Sequence, residues 1–129
     1  MVESLLLDTC ALIWLATGSD ELSKETRQLI AKAPKVFVSS VSAWELGVKC
    51  HKGTLALPCD ARRWFTEVVE KYNLAVLGLC SDEMLMASEL PWHHKDPADR
   101  FIIATAQKNS LPVVTGDRNF PLYGITVLH

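Results

Sequence analysis

Residues 94–117, HKDPADRFIIATAQKNSLPVVTGD, constrain the chain more than any other stretch. Asp96 and Asp99 stand on either side of Pro97. That order starts a helix, with an acid at the N-cap, proline at the first helical position and a second acid at the positive end of the helix dipole. Phe101, Ile102, Ile103 and Ala106 continue the helix with apolar side chains. Leu111-Pro112-Val113-Val114-Thr115 then reads as a short buried strand, closed by the turn pair Gly116-Asp117. A helix that runs into a parallel strand puts its own start and the strand's carboxyl end on one rim of an open α/β sheet. Ligands bind at that rim. Asp99 and Asp117 are therefore expected on the same edge, and the question becomes what else the chain brings there.

The first apolar run, residues 4–7, has the continuous character of a central parallel strand buried on both faces. It ends at Asp8-Thr9 and passes into an apolar helix over residues 10–16. Asp8 thus lies at a sheet edge, where it can serve a site or simply cap the helix. Leu22, Thr26, Leu29, Ile30 and Ala33 repeat at helical spacing until Pro34, and residues 35–39 form a second strand. The next helix runs to about residue 51, with Val41, Trp44 and Val48 expected to face the sheet. Glu45 and Lys49 are i, i+4 neighbours on another face. Glu45 has two readings. Ser42-x-x-Glu45 has the spacing of a capping box, yet a helix starting directly after a parallel strand starts at the same rim as Asp8. Ala61, Trp64, Phe65, Val68, Val69 and Tyr72 mark a broad apolar helical face, suited to a core or a dimer contact. Residues 74–79 form a third strand. A helix capped by Ser81-Asp82-Glu83 follows, carrying Met84, Leu85, Ala87 and Leu90, and residues 125–128 form a last, edge strand.

The expected order is β-α-α-β-α-α-β-α-α-β-β: a three-layer α/β fold with a mostly parallel sheet of four to five strands flanked by helices. Residues 1–129 read as one domain. With 49% hydrophobic residues, four tryptophans and 22% charged residues, the chain can bury a sizeable core. No apolar run approaches the roughly 20 residues needed to span a bilayer, so a cytoplasmic protein is expected. The net charge of −2 excludes a basic coat that would hold nucleic acid non-specifically. Cys10, Cys50, Cys59 and Cys80 form no CxxC pair and are expected to be mainly buried, free thiols. Cys50, His51 and Cys59 match no zinc spacing.

Asp8, Glu45, Asp99 and Asp117 each follow a strand or open a helix beside one. Four carboxylates converging on one rim repel one another unless a hard divalent cation such as Mg²⁺ or Mn²⁺ is shared between them. Such a cation lowers the pKa of bound water and stabilises the charge that develops in phosphodiester displacement. No serine, cysteine or histidine is arranged as a nucleophile in their place.

Four segments carry a resemblance: LDTCALIW (7–14), SAWELGVK (42–49), HKDPADR (94–100) and TGDRNF (115–120). Together they resemble the four acidic motifs of PIN-domain proteins, and more narrowly the toxin ribonucleases of VapBC-type toxin–antitoxin pairs. The likeness runs from about residue 4 to the C-terminus. Lys95 stands where arginine is more usual, and Cys10 where histidine is frequent. The resemblance implies a PIN fold, Mg²⁺- or Mn²⁺-dependent endoribonuclease activity, a homodimer and a small antitoxin that blocks the site. Asp8, Glu45, Asp99 and Asp117 would form the acidic metal pocket, with Asp8 and Asp99 as direct ligands. Asp96 would be a supporting acid or a cap, and Thr9 and Thr115 would orient water or a carboxylate. Lys49, Lys52, Arg100, Arg118 and His94 are candidates to hold the RNA backbone, and cleavage would leave a 5′-phosphate and a 3′-hydroxyl. Two rivals stand beside this reading: a phosphatase with Asp8 as nucleophile, and a catalytically idle PIN-like module that binds RNA or protein. The phosphatase lacks a second acid two residues after Asp8 and leaves Glu45 without a role.

Overall fold

The computed structural model describes residues 3–129. Five short strands form one all-parallel sheet in the order β3-β2-β1-β4-β5: β1 (Leu5–Leu7), β2 (Val36–Ser39), β3 (Ala75–Leu77), β4 (Val113–Val114) and β5 (Val127–Leu128). The crossovers are helical: α1 (Thr9–Thr17) and α2 (Lys24–Lys32) join β1 to β2, and α3 (Ser40–Lys52) and α4 (Ala61–Lys71) join β2 to β3. The longest return, α5 (Ser81–Glu89) and α6 (Pro97–Asn109), leads to β4, and a 3₁₀ turn at Phe120–Tyr123 precedes β5. The element order is the one read from the sequence, and β5 is an edge strand.

Side-chain alternation along β1 splits the interior in two. Leu5 and Leu7 pack with Leu12, Leu15, Val38, Leu46, Trp64 and Val68 on one face of the sheet. Leu6 packs with Ile102, Ile103, Ala106, Val113, Phe120 and Tyr123 on the other. Leu6 and Leu7 are fully buried, each contributing about 1.5–3 kcal/mol on burial. Strand β1 is the middle of the five and the point where chain direction reverses: β2 and β3 build outward on one side, β4 and β5 on the other. Such a switch point opens a crevice at the carboxyl ends of the two strands that flank it, here β1 and β4.

Several expectations are corrected. Trp44 is 60% exposed, and the buried face of α3 is Val41, Ser42, Glu45 and Leu46 instead. Of the two readings of the stripe on α4, core or dimer contact, Trp64 takes the first: it is only 6% exposed and packs in the core. On α5, Ala87 is buried while Met84 and Leu85 face out. Cys10 and Cys80 are exposed rather than buried, and Cys50 and Cys59 are half-buried.

Candidate active site

Asp8 follows β1 directly and caps α1, its Oδ1 accepting the Ala11 N–H at 2.7 Å. The cap uses one oxygen of a carboxyl that is only 4% exposed, so capping and site are not exclusive for this residue. Thr9, the next residue, is buried and shares a 2.8 Å hydrogen bond with the Ser42 hydroxyl, tying α1 to α3.

That bond also settles the two readings of Glu45. Ser42 lies inside α3 and is engaged with Thr9, while the N-cap is Ser39, whose hydroxyl accepts the Val41 N–H. Glu45 is therefore not half of a capping box. It is buried on the face of α3 that meets the rim, and its Oε2 pairs with Lys49 Nζ at 3.2 Å. Its Oε1 has no hydrogen-bond partner, the one such buried side-chain atom among the described residues.

At the start of α6, Asp96 is the N-cap, accepting from the N–H groups of Ala98 (2.9 Å) and Asp99 (3.5 Å). Asp99 sits one turn in, at the helix's positive end. Asp117 follows β4: its N–H donates to the Thr115 hydroxyl at 3.0 Å, and its Oδ1 accepts the Asn119 N–H at 2.8 Å. Thr115 is buried and shapes this turn. Between Asp99 and Asp117 lies His94, its Nε2 2.7 Å from Asp117 Oδ2 and 3.1 Å from Asp99 Oδ2. This histidine is not the solvated loop residue or RNA contact that the sequence suggested, for its side chain is only 11% exposed.

The four acids meet in a cleft of about 410 Å³ at the switch point, and Asp96 and Thr9 also line it. Six carboxylates face it (those four with Asp96 and Glu21) against one lysine, Lys49. Burial pushes the Asp8 carboxyl up to about 6; Glu45 and Asp117 add to the rise, while the Thr115 hydroxyl and the Ala11 N–H oppose it. Burial likewise lifts Asp99 to about 7, helped by the negative charges of Asp96 and Glu45 and opposed by His94. An oxygen-rich, over-negative cleft with an orphaned buried carboxylate oxygen is what a hard divalent cation fits. Cys10, exposed at the cleft's edge, has its thiol pushed up to about 11 by the protein packed around the sulfur and by the neighbouring Asp8, which favours the protonated thiol near neutral pH.

A pH dependence follows. Unfolded carboxyls titrate near 3.8, and both of these titrate higher when folded. Between the two values the folded state binds more protons, so stability falls as pH rises through about 4 to 7. For Asp8 the penalty is at most on the order of 3 kcal/mol. Metal-free protein in EDTA is expected to melt several degrees lower at pH 8 than at pH 5, and a divalent cation at pH 8 should restore the difference. A flat or rising melting temperature over that range would show that the acids are not strained together.

The candidate cations separate. Lys49 is at the cleft, bridged to Glu45; Arg118 is exposed next to Asp117; Lys52 is exposed at the far end of α3. Arg100 cannot hold RNA. It is 4% exposed, and its guanidinium donates to the carbonyls of Ala87, Leu90, Pro91 and His94 at 2.6–3.0 Å, under the ring of Trp92. Sequence reading also missed Trp14, which forms one wall of the cleft against Gly116. A Cβ at residue 116 would stand 2.8 Å from Trp14 Cη2. Gly116→Ala is thus expected to cost about 1–2 kcal/mol by overpacking, measured by urea denaturation, and to cost less in a Trp14→Phe background.

Comparison with known proteins agrees with the fold. The family described as PIN domain matches residues 5–125. Ribonuclease VapC22 of Mycobacterium tuberculosis (strain ATCC 25618 / H37Rv) is 28% identical over 116 residues, covering 89% of this chain and 88% of that protein. VapBC2 from Rickettsia felis, solved with a DNA fragment from its promoter, superposes with a TM-score of 0.69 at 16% identity, covering 98% of this chain and 97% of the other. DNA-bound VapBC from Salmonella typhimurium gives 0.67 at 23% identity, with coverage of 98% and 97%. With a family match over nearly its whole length, the chain belongs to the PIN-domain family.

Proposed function

We propose that the chain is a divalent-metal-dependent endoribonuclease, the toxin of a type II toxin–antitoxin pair, acting in the cytoplasm. The carrying observation is the acidic cleft at the β1/β4 switch point, where Asp8, Glu45, Asp99 and Asp117 converge and Glu45 Oε1 is left without a partner. The ribonuclease name of its M. tuberculosis relative supports RNA as the substrate, and its likeness to VapBC proteins supports a small antitoxin as partner. None of the described helices is long and apolar enough to cross a membrane, in keeping with this location. A homodimer is part of the proposal, with a contact surface other than Trp64.

Asp8 and Asp99, with Asp117 and Glu45, would hold the cation, for which Mg²⁺ and Mn²⁺ suit an all-oxygen set. When bound, the cation supplies a water of lowered pKa and neutralises charge on the reacting phosphate. The chain's own groups do the rest. Thr115 and the Ala11 N–H hold Asp8 in place, and Lys49 beside Glu45 and Arg118 beside Asp117 would receive phosphate oxygens. In-line displacement by water leaves a 5′-phosphate and a 3′-hydroxyl.

Purified protein incubated with mixed structured and single-stranded RNA should cut it in Mg²⁺ or Mn²⁺ and not in EDTA, with 5′-phosphate ends on the products. Neither cutting nor carboxylate-dependent Mn²⁺ binding would instead leave an idle binding module. A trapped phosphoryl-Asp8 adduct would favour the phosphatase. No observation favours it here, since Asp8 is buried and one of its oxygens is engaged as a helix cap.

A further inference from the structure

His94 is fixed on every side yet has no part in the chemistry above. Its backbone N–H donates to the Tyr123 hydroxyl at 2.7 Å, and its carbonyl accepts from Arg100 Nη1 at 2.9 Å. Its ring meets Phe120 edge-on, centroids 6.0 Å apart. The Asp96 N–H donates to Nδ1 at 3.2 Å. With Nδ1 accepting from that amide, the neutral ring carries its hydrogen on Nε2, the atom facing Asp99 and Asp117. In that form Nε2 has no lone pair to give a cation. His94 is also not among the residues lining the cleft, whereas Asp99 and Asp117 are.

We propose that His94 is a positioning residue of the cation site: its Nε2–H donates to Asp117 Oδ2 with Asp99 Oδ2 3.1 Å away, and the ring between them holds the two carboxylates in place without ligating the ion. The proposal rests on the metal reading above and assigns that site a part which none of its acids plays. Two like charges brought side by side separate unless something bridges them. Asp117 is clamped twice, by Asn119 N–H on Oδ1 and by His94 on Oδ2, and the same His94 Nε2 lies 3.1 Å from Asp99 Oδ2. The pair is thereby set before any cation arrives, and less ordering remains to be done on binding. The same three donor groups lie close enough to suggest a direct ligand set, which the tautomer argues against.

The test uses the full chain with Mn²⁺ alone, free ion being read by electron paramagnetic resonance, in wild type, His94→Phe and His94→Gln. Phenylalanine keeps the ring against Phe120 and removes the donor; glutamine places an amide donor near the same point. His94→Phe is expected to weaken Mn²⁺ binding by about 10- to 100-fold, the usual loss for a group that orients metal ligands. His94→Gln should recover most of it, and circular dichroism should be unchanged. Pulsed spectra of the wild-type complex should show no ¹⁴N coupling from imidazole. Equal affinity in wild type and His94→Phe would overturn the role, and a clear ¹⁴N coupling would make His94 a ligand instead. Absence of Mn²⁺ binding in wild type as well would remove the metal reading itself, and this role with it. Should His94→Phe fail to fold, long-range ¹H–¹⁵N correlation in wild type still decides: a hydrogen on Nε2 is expected, and an Nε2 without one refutes the role.

Discussion

Asp99→Asn is expected to lower metal-dependent RNA cleavage by more than about 100-fold, because removing a direct ligand should exceed the loss seen for groups that merely orient one. Asp8→Asn should do the same. Both substitutions keep the local structure, which makes the loss interpretable. Asparagine caps a helix about as well as aspartate, so position 8 can still accept the Ala11 N–H. Its amide oxygen at position 99 can still sit beside His94 Nε2. What each removes is one negative charge from a cleft that has too many. The same variants should therefore gain stability at pH 8 in EDTA, since the charged form each abolishes is the one that burial and neighbouring acids disfavour. Initial cleavage rates and melting curves on one preparation give both signs at once. Loss of activity together with loss of stability would mean misfolding, and activity within tenfold of wild type would show that the acid is not a ligand.

The opposite signs also explain what was legible in the sequence. Asp8, Asp99 and Asp117 stand at element boundaries that local pattern marks well: an apolar run into an acid, Asp-Pro-x-Asp at a helix start, Gly-Asp after a strand. The parallel topology then places all three on one rim without tertiary detail. Strand lengths were less legible. Residues 111–115 read as a five-residue strand, but β4 is only Val113–Val114. The Leu111 N–H closes the end of α6 by bonding Ala106 O, and Pro112 has no N–H to give. The face of α3 was misjudged because apolar spacing selected Trp44, whereas the helix is turned to pair Ser42 with Thr9 and to aim Glu45 at the cleft. His94 and Arg100 were illegible for one shared reason. Their partners lie far along the chain, and a charged or polar side chain in a loop-to-helix segment carries no local sign that four carbonyls or two carboxylates will close around it.

Arg100→Ala is expected to cost about 3 kcal/mol or more, because a hydrogen bond to a charged donor contributes about 1.5–3 kcal/mol and four backbone carbonyls lose their donor together. The guanidinium is the meeting point of the return from α5 to α6. It bonds Ala87 O at 2.6 Å and Leu90 O at 2.9 Å, at the end of α5, then Pro91 O at 3.0 Å and His94 O at 2.9 Å in the loop beyond. Helix α5 has no basic residue in its own last turn, so Arg100 supplies from α6 the positive charge that its exposed carbonyl end favours. Alanine leaves four carbonyls short of a donor inside the protein, and each that water cannot reach adds desolvation cost. Arg100→Lys should recover little, because an ammonium is a point charge and cannot reproduce a planar fork that serves four acceptors. The damage should also reach the active site by a definite path. His94 O is one of the four acceptors, so a loosened loop should weaken Mn²⁺ binding through the Asp99–His94–Asp117 bridge even where enough folded protein remains to measure it. Urea midpoints give the stability, and Mn²⁺ titration under native conditions gives the coupling. A loss below about 1 kcal/mol would mean that water replaces the guanidinium at these carbonyls. Full stability loss with unchanged Mn²⁺ affinity would instead separate the clamp on α5 from the placement of His94.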